Sequence, residues 1–440
     1  MEPTTQDRIN TLTKWATSHH AYLHPSVEIY PDPRTGLSFR VKPSSPSPIQ
    51  PLDPIVRLPT SLTLSYHNAI QPQPTFHRDF IAQTPPRHRP SLPQEEAELL
   101  EGTNVDVGIE KIRADVNKEF RQAKELLSLH PKDGADDFGQ QLTKTLYQWA
   151  YCIFSSRSFR PSLVLSEEQQ KTLPDKVGID DFSVLLPLFD IGNHDMTTEI
   201  RWDLSETPAG GHTCDLRINK SHNPGDQIFN NYSMKTNAEL LLGYGFMVPV
   251  TNDLHNDYTH VRKRSPNGTA AVPGDEYLIS RRPINHPSSL LARSKQTLLV
   301  KPMPPLPPVL GSFQHVQHDM VWDIFCTLTN PDLRRHLIPV PDNSDPQAAE
   351  RLRQEKFFSG QVDDECMQHL EQTVAIIQHK VLQELERLNE TDVEVLGSDR
   401  ELLSQNQRLA LEYRERCRQV LENTLTAMSE DELLRFDEEE

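Results

Sequence analysis

Residues 181–196 read DFSVLLPLFDIGNHDM, and residues 223–249 read NPGDQIFNNYSMKTNAELLLGYGFMVP. The first segment is an apolar run that ends in Asp190-Ile191-Gly192-Asn193-His194. The second holds a turn at Asn223-Pro224-Gly225, a short strand over residues 226–231 ending at Tyr232, and an apolar stretch closing on Gly243-Tyr244-Gly245-Phe246. Taken alone, an Asn-His pair after an apolar run is a polar turn at a strand end. The second segment is more specific. It sets Gly225, Asp226 and Gln227, then Tyr232, then Asn237-Ala238-Glu239-Leu240 in one fixed order.

Upstream of these segments the pattern is β-rich and then helical. Residues 27–30, 37–41 and 55–58 are β-prone runs divided by turn residues. Residues 42–54 and 84–93 are proline-rich and read as loops. From residue 105 the period becomes helical, with Ile109, Ile112, Val116, Phe120, Ala123 and Leu127 on one face to residue 129. A second helix is predicted over 137–154, with Phe138, Leu142, Leu146, Ala150 and Ile153 on one side, after breaks at Pro131 and Gly134. Downstream, residues 301–308 are a proline-rich connector. Two long amphipathic helices follow, one with Met367, Leu370, Val374, Ile377, Val381 and Leu385 on a face, the other with Leu402, Leu409, Tyr413, Val420 and Leu425.

Composition narrows the function classes. The chain has 440 residues, a length that fits two or three domains. Its 45 Lys and Arg against 63 Asp and Glu give a net charge of −18, which disfavours nucleic acid and anionic membrane as direct ligands. The same charge suits a basic protein substrate, although acidity also simply keeps a protein soluble. Cys152, Cys214, Cys326, Cys366 and Cys417 form no CxxC pair, so neither a disulfide framework nor a zinc cluster is expected. His194 beside Asp195 has no further ligand at metal spacing, and no metal is expected. The opening residues MEPTTQDRINTLTKWATSHH lack a signal pattern, and no apolar run reaches membrane-span length. A soluble cytosolic or nuclear protein acting as a monomer is the expectation.

The motifs in residues 181–249 resemble the C-terminal half of a SET domain, and most closely that of the Rubisco large-subunit methyltransferase branch. Asp190, Asn193, His194, Tyr232 and the Asn237–Leu240 run carry the likeness. The resemblance implies an α+β fold: a SET domain of small curled β-sheets with a knot-like crossing over residues 1–250, a helical insertion near 95–180, and an all-α substrate-binding domain over 270–440. It implies the cofactor S-adenosyl-L-methionine. It assigns cofactor contacts to Asp190, Asn193 and His194, and to Arg157 in the Ser155-Ser156-Arg157-Ser158-Phe159 segment. A guanidinium there suits the cofactor carboxylate. Phe246 is placed near the adenine. Tyr244 is placed on a lysine channel, with Ser158 and Phe189 as further substrate-side residues.

Tyr232 is implied as the catalytic tyrosine. Methyl transfer from a sulfonium is an in-line displacement that needs a neutral amine and a straight approach, and positioning can supply on the order of 7 kcal/mol. A phenol with an ordinary pKa of about 10 is a poor base at neutral pH, so Tyr232 is read as an orienting group. One motif departs from the family. The Gly-x-Gly cofactor turn reads Thr35-Gly36-Leu37-Ser38-Phe39, with Ser38 at the second glycine position. Gly36, Leu37 and Ser38 are still expected to contact cofactor through their backbone. The leading reading is a protein-lysine N-methyltransferase acting on a non-histone protein. The alternatives are histidine methylation on the same fold, and a catalytically silent SET-fold protein that binds partners.

Overall fold

The structure is a computed structural model that describes residues 3–65, 97–129, 142–173, 177–208, 210–263, 276–293, 307–341, 345–392 and 399–431. The chain divides into two compact units. The first comprises residues 1–91 and 119–234, and the second comprises residues 92–118 and 235–440. The division thus falls after Met234, ahead of the boundary near 250 drawn from sequence, and residues 92–118 group with the C-terminal part.

The first unit is built of small antiparallel sheets. One runs β1-β4-β8-β7, from β1 (Tyr22–Leu23), β4 (Pro54–Pro59), β8 (His212–Ile218) and β7 (Ile200–Glu206). A second runs β2-β3-β9, from β2 (Val27–Asp32), β3 (Gly36–Val41) and β9 (Gln227–Ile228). A third pairs β5 (Ser158–Phe159) with β6 (Val184–Leu185). Residue alternation explains β8. Cys214, Leu216 and Ile218 point into the core, while the intervening Asp215 is held by Arg217 at 2.6 Å and Arg57 at 3.4 Å. Phe39, Val41, Ile55, Leu58, Leu188 and Phe189 are fully buried in the same core. Helix α1 (Thr5–Ser18) adds Ile9 and Ala16 to it, and starts at a capping box between Thr4 and Asp7.

Of the two insertion helices, one starts later than its periodicity suggests. The first insertion helix, α2, spans Asp106–Leu129, close to its periodicity. The second, α3, spans Lys144–Arg157 rather than 137–154, because the Thr143 hydroxyl caps it by accepting from Leu146 N at 3.2 Å. None of the residues of α3 is fully buried. Residues 130–141, including Pro131, Gly134 and Phe138, lie outside the described residues, as do the proline-rich stretches at 84–93 and 301–306.

The second unit holds the hairpin β10 (Tyr258–Arg262) and β11 (Glu276–Ser280) with a set of helices. Helix α4 (Asn237–Tyr244) carries the Asn-Ala-Glu-Leu run and ends at Gly245, whose φ of +75° suits glycine. Helices α5 (His318–Leu328), α6 (Asp364–Glu390) and α7 (Gln405–Ser429) pack around Phe313, Phe325, Phe357, Leu370, Ile377 and Val420. Leu402 was expected on the inner face of the last helix, yet it is 83% exposed. Ser404 caps α7 through a capping box with Gln407, so Leu402 precedes the helix. Among the described residues no helix is long and apolar enough to cross a membrane.

Candidate active site

The site is assembled in the first unit from four parts that are distant in sequence: the turn around residues 32–38, residues 190–195, residues 230–233, and Arg157 at the end of α3. The first is the turn from β2 into β3. Asp32 Oδ1 accepts the backbone N–H groups of Arg34 and Thr35, each at 2.9 Å, and these hold its carboxyl below the ordinary carboxylate value. Gly36 follows with φ +79°, in the left-handed region, and a Cβ there would meet nothing within 4 Å. Leu37 is exposed while Ser38 is fully buried. The backbone at residues 36 and 37 is therefore open on one side and braced on the other.

The second stretch lies side by side with the third. Asn230 N donates to Asn193 O at 2.7 Å, and Asp195 N donates to Asn230 O at 3.0 Å, which makes a parallel bridge between His194 and Asn230. A Cβ on Gly192 would lie 3.0 Å from the Asn230 Cβ, so glycine permits this close approach. The bridge also explains why the strand expected over 226–231 is only Gln227–Ile228. After Ile228 the chain leaves β3 and pairs with residues 193–195. Leu188 and Ser233 flank the crossing with φ of +72° and +82°. Each such non-glycine conformation costs on the order of 1–3 kcal/mol and persists only where its surroundings impose it. At Ser233 the N–H donates to Asn231 Oδ1 at 2.8 Å, while Asn231 Nδ2 donates to Met196 O and Thr198 O.

The predicted residues come together here. Tyr232 N donates to His194 Nδ1 at 3.0 Å, which places the proton of a neutral His194 on Nε2. The two rings stack at 5.1 Å. The Tyr232 hydroxyl donates to Gly192 O at 2.8 Å and accepts from an Arg157 guanidinium nitrogen at 3.0 Å. That nitrogen also donates to Asp190 O at 2.7 Å. The other nitrogens of Arg157 make no hydrogen bond among the described residues, so one edge of the fork is available to an anion. Burial pushes the Asp190 carboxyl up to about 6, and the Arg157 charge partly opposes this. Asn193 Nδ2 donates to Leu37 O at 3.2 Å and to Ser38 Oγ at 2.5 Å.

The remaining candidates divide. Ser158 opens β5 opposite Leu185, and Phe189 is fully buried edge-to-face against Phe159 at 6.2 Å. Tyr244 and Phe246 belong to the second unit. Their rings meet edge-to-face at 6.3 Å, and the Lys235 ammonium lies 5.8 Å from the Tyr244 ring centre. Burial, then Glu239, pushes the Tyr244 phenol above its ordinary value. Gly192 and Asn230 are structural members of the site that sequence reasoning missed. Gln227, whose Nε2 donates to Ser38 Oγ at 3.1 Å, stood in the Gly-acid-Gln motif and was findable there.

The arrangement offers an acceptor at Asn193 Oδ1, open backbone at residues 36 and 37, a guanidinium edge, and a hydroxyl of fixed direction. These donors and acceptors match a zwitterionic amino acid, with the oxygen for its ammonium and the guanidinium for its carboxylate. The methionine end of S-adenosylmethionine has that chemistry. Among the described residues no three His, Cys, Asp or Glu side chains group as a metal site.

No family model matches the chain. Among curated proteins it is similar to the protein-lysine N-methyltransferase EFM1 of Saccharomyces cerevisiae, with 24% identity over 375 residues, 70% of this chain and 60% of that protein. It is also similar to the ribosomal lysine N-methyltransferase set10 of Schizosaccharomyces pombe, with 34% identity over 128 residues, 29% of this chain and 20% of that protein. The matches thus span less than two thirds of these relatives' own length. Among solved structures, the SET domain of LSMT bound to lysine and AdoHcy superposes with a TM-score of 0.55 at 16% identity, covering 98% of this chain and 93% of that one. Rubisco LSMT bound to AdoMet gives 0.53 at 17% identity, covering 97% and 92%. With its small antiparallel sheets, the crossing at Asn193 and Asn230, and its helical C-terminal part, this chain has the fold of the SET-domain protein methyltransferases of the Rubisco large-subunit type.

Proposed function

We propose that this protein is an S-adenosylmethionine-dependent protein-lysine N-methyltransferase acting on a non-histone protein. The observation that carries the reading is the state of the Tyr232 hydroxyl. Its hydrogen is turned to Gly192 O and it accepts from Arg157, while the backbone N–H of the same residue is held by His194 of the crossing. An oxygen held at a fixed position in this way can align an incoming amine with the methyl group it receives. A hydroxyl already donating to a carbonyl orients its neighbours, and its role here is alignment rather than proton removal. The cofactor, when bound, supplies the electrophilic methyl group.

The other residues divide the work by charge. Asn193 Oδ1 would hold the cofactor ammonium and the free edge of Arg157 its carboxylate. The open backbone at Gly36 and Leu37 gives close approach. His194 holds the backbone of Tyr232, and so the direction of the phenol. The lysine specificity is supported by the names of both curated relatives, and by the lysine bound in the solved SET domain of similar fold. A reducing cytosolic or nuclear setting fits the five cysteines, none of which is in a disulfide.

The test is transfer of a labelled methyl group from S-adenosylmethionine into proteins of a cell extract, followed by acid hydrolysis of the labelled product. Label recovered as methyl-lysine supports the proposal. Recovery as methylhistidine would move the assignment to the histidine reading. No label with folded protein, together with no heat of cofactor binding, would favour a silent SET-fold protein.

A further inference from the structure

We propose that Ser38 is a positioning residue that orients Asn193 toward the amino-acid end of the cofactor, an inference that rests on the cofactor reading above. Ser38 is fully buried in β3, and its hydroxyl is a hub. Oγ accepts from Asn193 Nδ2 at 2.5 Å and from Gln227 Nε2 at 3.1 Å. It lies 3.2 Å from Gly36 O and 3.0 Å from Thr35 Oγ1, either of which can take its hydrogen. Thr35 Oγ1 donates in turn to Asp32 Oδ1 at 3.0 Å. Two accepted bonds and one donated bond use the full capacity of a hydroxyl.

The consequence lies in the direction of the Asn193 amide. An amide is planar, so fixing Nδ2 fixes Oδ1. With Nδ2 turned to Ser38 Oγ and Leu37 O, the polar atom left is an acceptor, and no hydrogen bond reaches it among the described residues. An acceptor suits an ammonium and repels a carboxylate. A glycine at position 38, which the SET resemblance leads one to expect, would leave Nδ2 only the Leu37 carbonyl. It would also leave Gln227 without this bond between β9 and the turn. Ser38 thus supplies with one hydroxyl the bracing of a turn that has lost its second glycine, and its side chain acts through Asn193.

The test is calorimetry on the full chain with two ligands, S-adenosylhomocysteine and 5′-methylthioadenosine, which lacks the amino-acid end. Ser38→Ala and Ser38→Gly both remove the hydroxyl and add no atom, and both are measured, so that either one that folds tests the role. Each should bind S-adenosylhomocysteine about tenfold more weakly, the value of one lost hydrogen bond. Affinity for 5′-methylthioadenosine should stay at the wild-type value. Variants that bind S-adenosylhomocysteine as the wild type does would overturn the role of Ser38 alone. Equal loss for both ligands would also overturn it, by showing a general slackening of the turn. A wild-type chain that binds neither ligand would overturn the cofactor reading itself, and this proposal with it.

Discussion

Arg157 and Tyr232 share a hydrogen bond of 3.0 Å, and the same guanidinium nitrogen holds the Asp190 carbonyl at 2.7 Å. One side chain therefore ties the end of α3 to both arms of the crossing. A planar guanidinium can do this and still present a second edge to an anion, whereas an ammonium is a single point donor.

Arg157→Lys keeps the charge and loses the fork. Folding should survive, since Arg157 is only half-buried. Affinity for S-adenosylhomocysteine should fall about tenfold, the value of a lost charge-assisted bond. Calorimetry on the variant checks this, and an unchanged affinity would mean that the guanidinium edge faces solvent rather than the cofactor.

Tyr232→Phe removes the bonds to Gly192 O and Arg157 but keeps the ring that stacks on His194 at 5.1 Å. The stability loss should be about 1 kcal/mol. Cofactor affinity should change little. Methyl transfer should drop by on the order of 10²-fold or more, because alignment is lost at the moment of transfer. Melting temperature, cofactor affinity and single-turnover transfer on one preparation separate these effects. Near-normal transfer by a folded, cofactor-binding variant would remove Tyr232 from the chemistry.

How much of this was legible in the sequence follows from how far apart the partners lie. Asn193, His194 and Tyr232 stand out as candidates because each sits inside a local run whose order is specific, and the structure brings His194 and Tyr232 into contact. Helices α6 and α7 were found because their apolar residues repeat at the helical period. The bond between Ser38 and Asn193 spans 155 residues, and nothing local in either segment announces it. Read from sequence, Ser38 was a defect in a glycine motif; in the structure it is the hub of the turn. The strand over 226–231 was overextended for a related reason. A β-prone run does not say with what it pairs, and Asn230 pairs across the crossing instead of with β3. Leu402 fitted a helical period, but the cap at Ser404 decides where that helix begins.

Within the second unit, Asp257 is a buried carboxylate held by Arg281 at 2.9 Å, Arg416 at 3.2 Å and Asn237 at 2.6 Å. Arg416 also donates to Val248 O at 2.9 Å, and Asn237 brackets Val248 from the other side. Helix α4 and the stretch to Val248 are thus pinned by residues far downstream. Arg416→Ala leaves part of a buried charge uncompensated and should cost about 3 kcal/mol, read from the denaturant midpoint. A chain that stops before Asp257 should lose the order of residues 237–248, including Tyr244 and Phe246. Proteolytic resistance of this stretch in such a truncated chain would contradict the pinning.

The pH dependence of stability should carry the mark of His255. Its ring is fully buried, stacked on Tyr258 at 4.8 Å, with Nε2 at 3.0 Å from Ser289 Oγ. Burial drives its pKa down to about 4; Asp257 pulls the other way, and Arg282, Arg281 and His286 add to the depression. In the unfolded chain it takes its proton near an ordinary pKa of about 6.5. Between those values the unfolded state binds the extra proton, so this group's contribution is complete above about 6.5 and is lost as pH falls toward 4. Asp190 has the opposite sign: its carboxyl, raised to about 6, favours the folded state at low pH and loses that effect as pH rises from about 4 to 6. His318, also pushed down to about 4 by burial, acts in the same sense as His255. The His255 contribution is isolated by comparing wild type with His255→Gln, since Asp190 and His318 titrate in both. On going from pH 7.5 to pH 5 in urea unfolding, the wild type should lose about 2 kcal/mol more than the variant. Equal losses in the two proteins would mean that His255 is charged in the folded chain, and that its buried packing against Tyr258 and Ser289 does not hold it neutral.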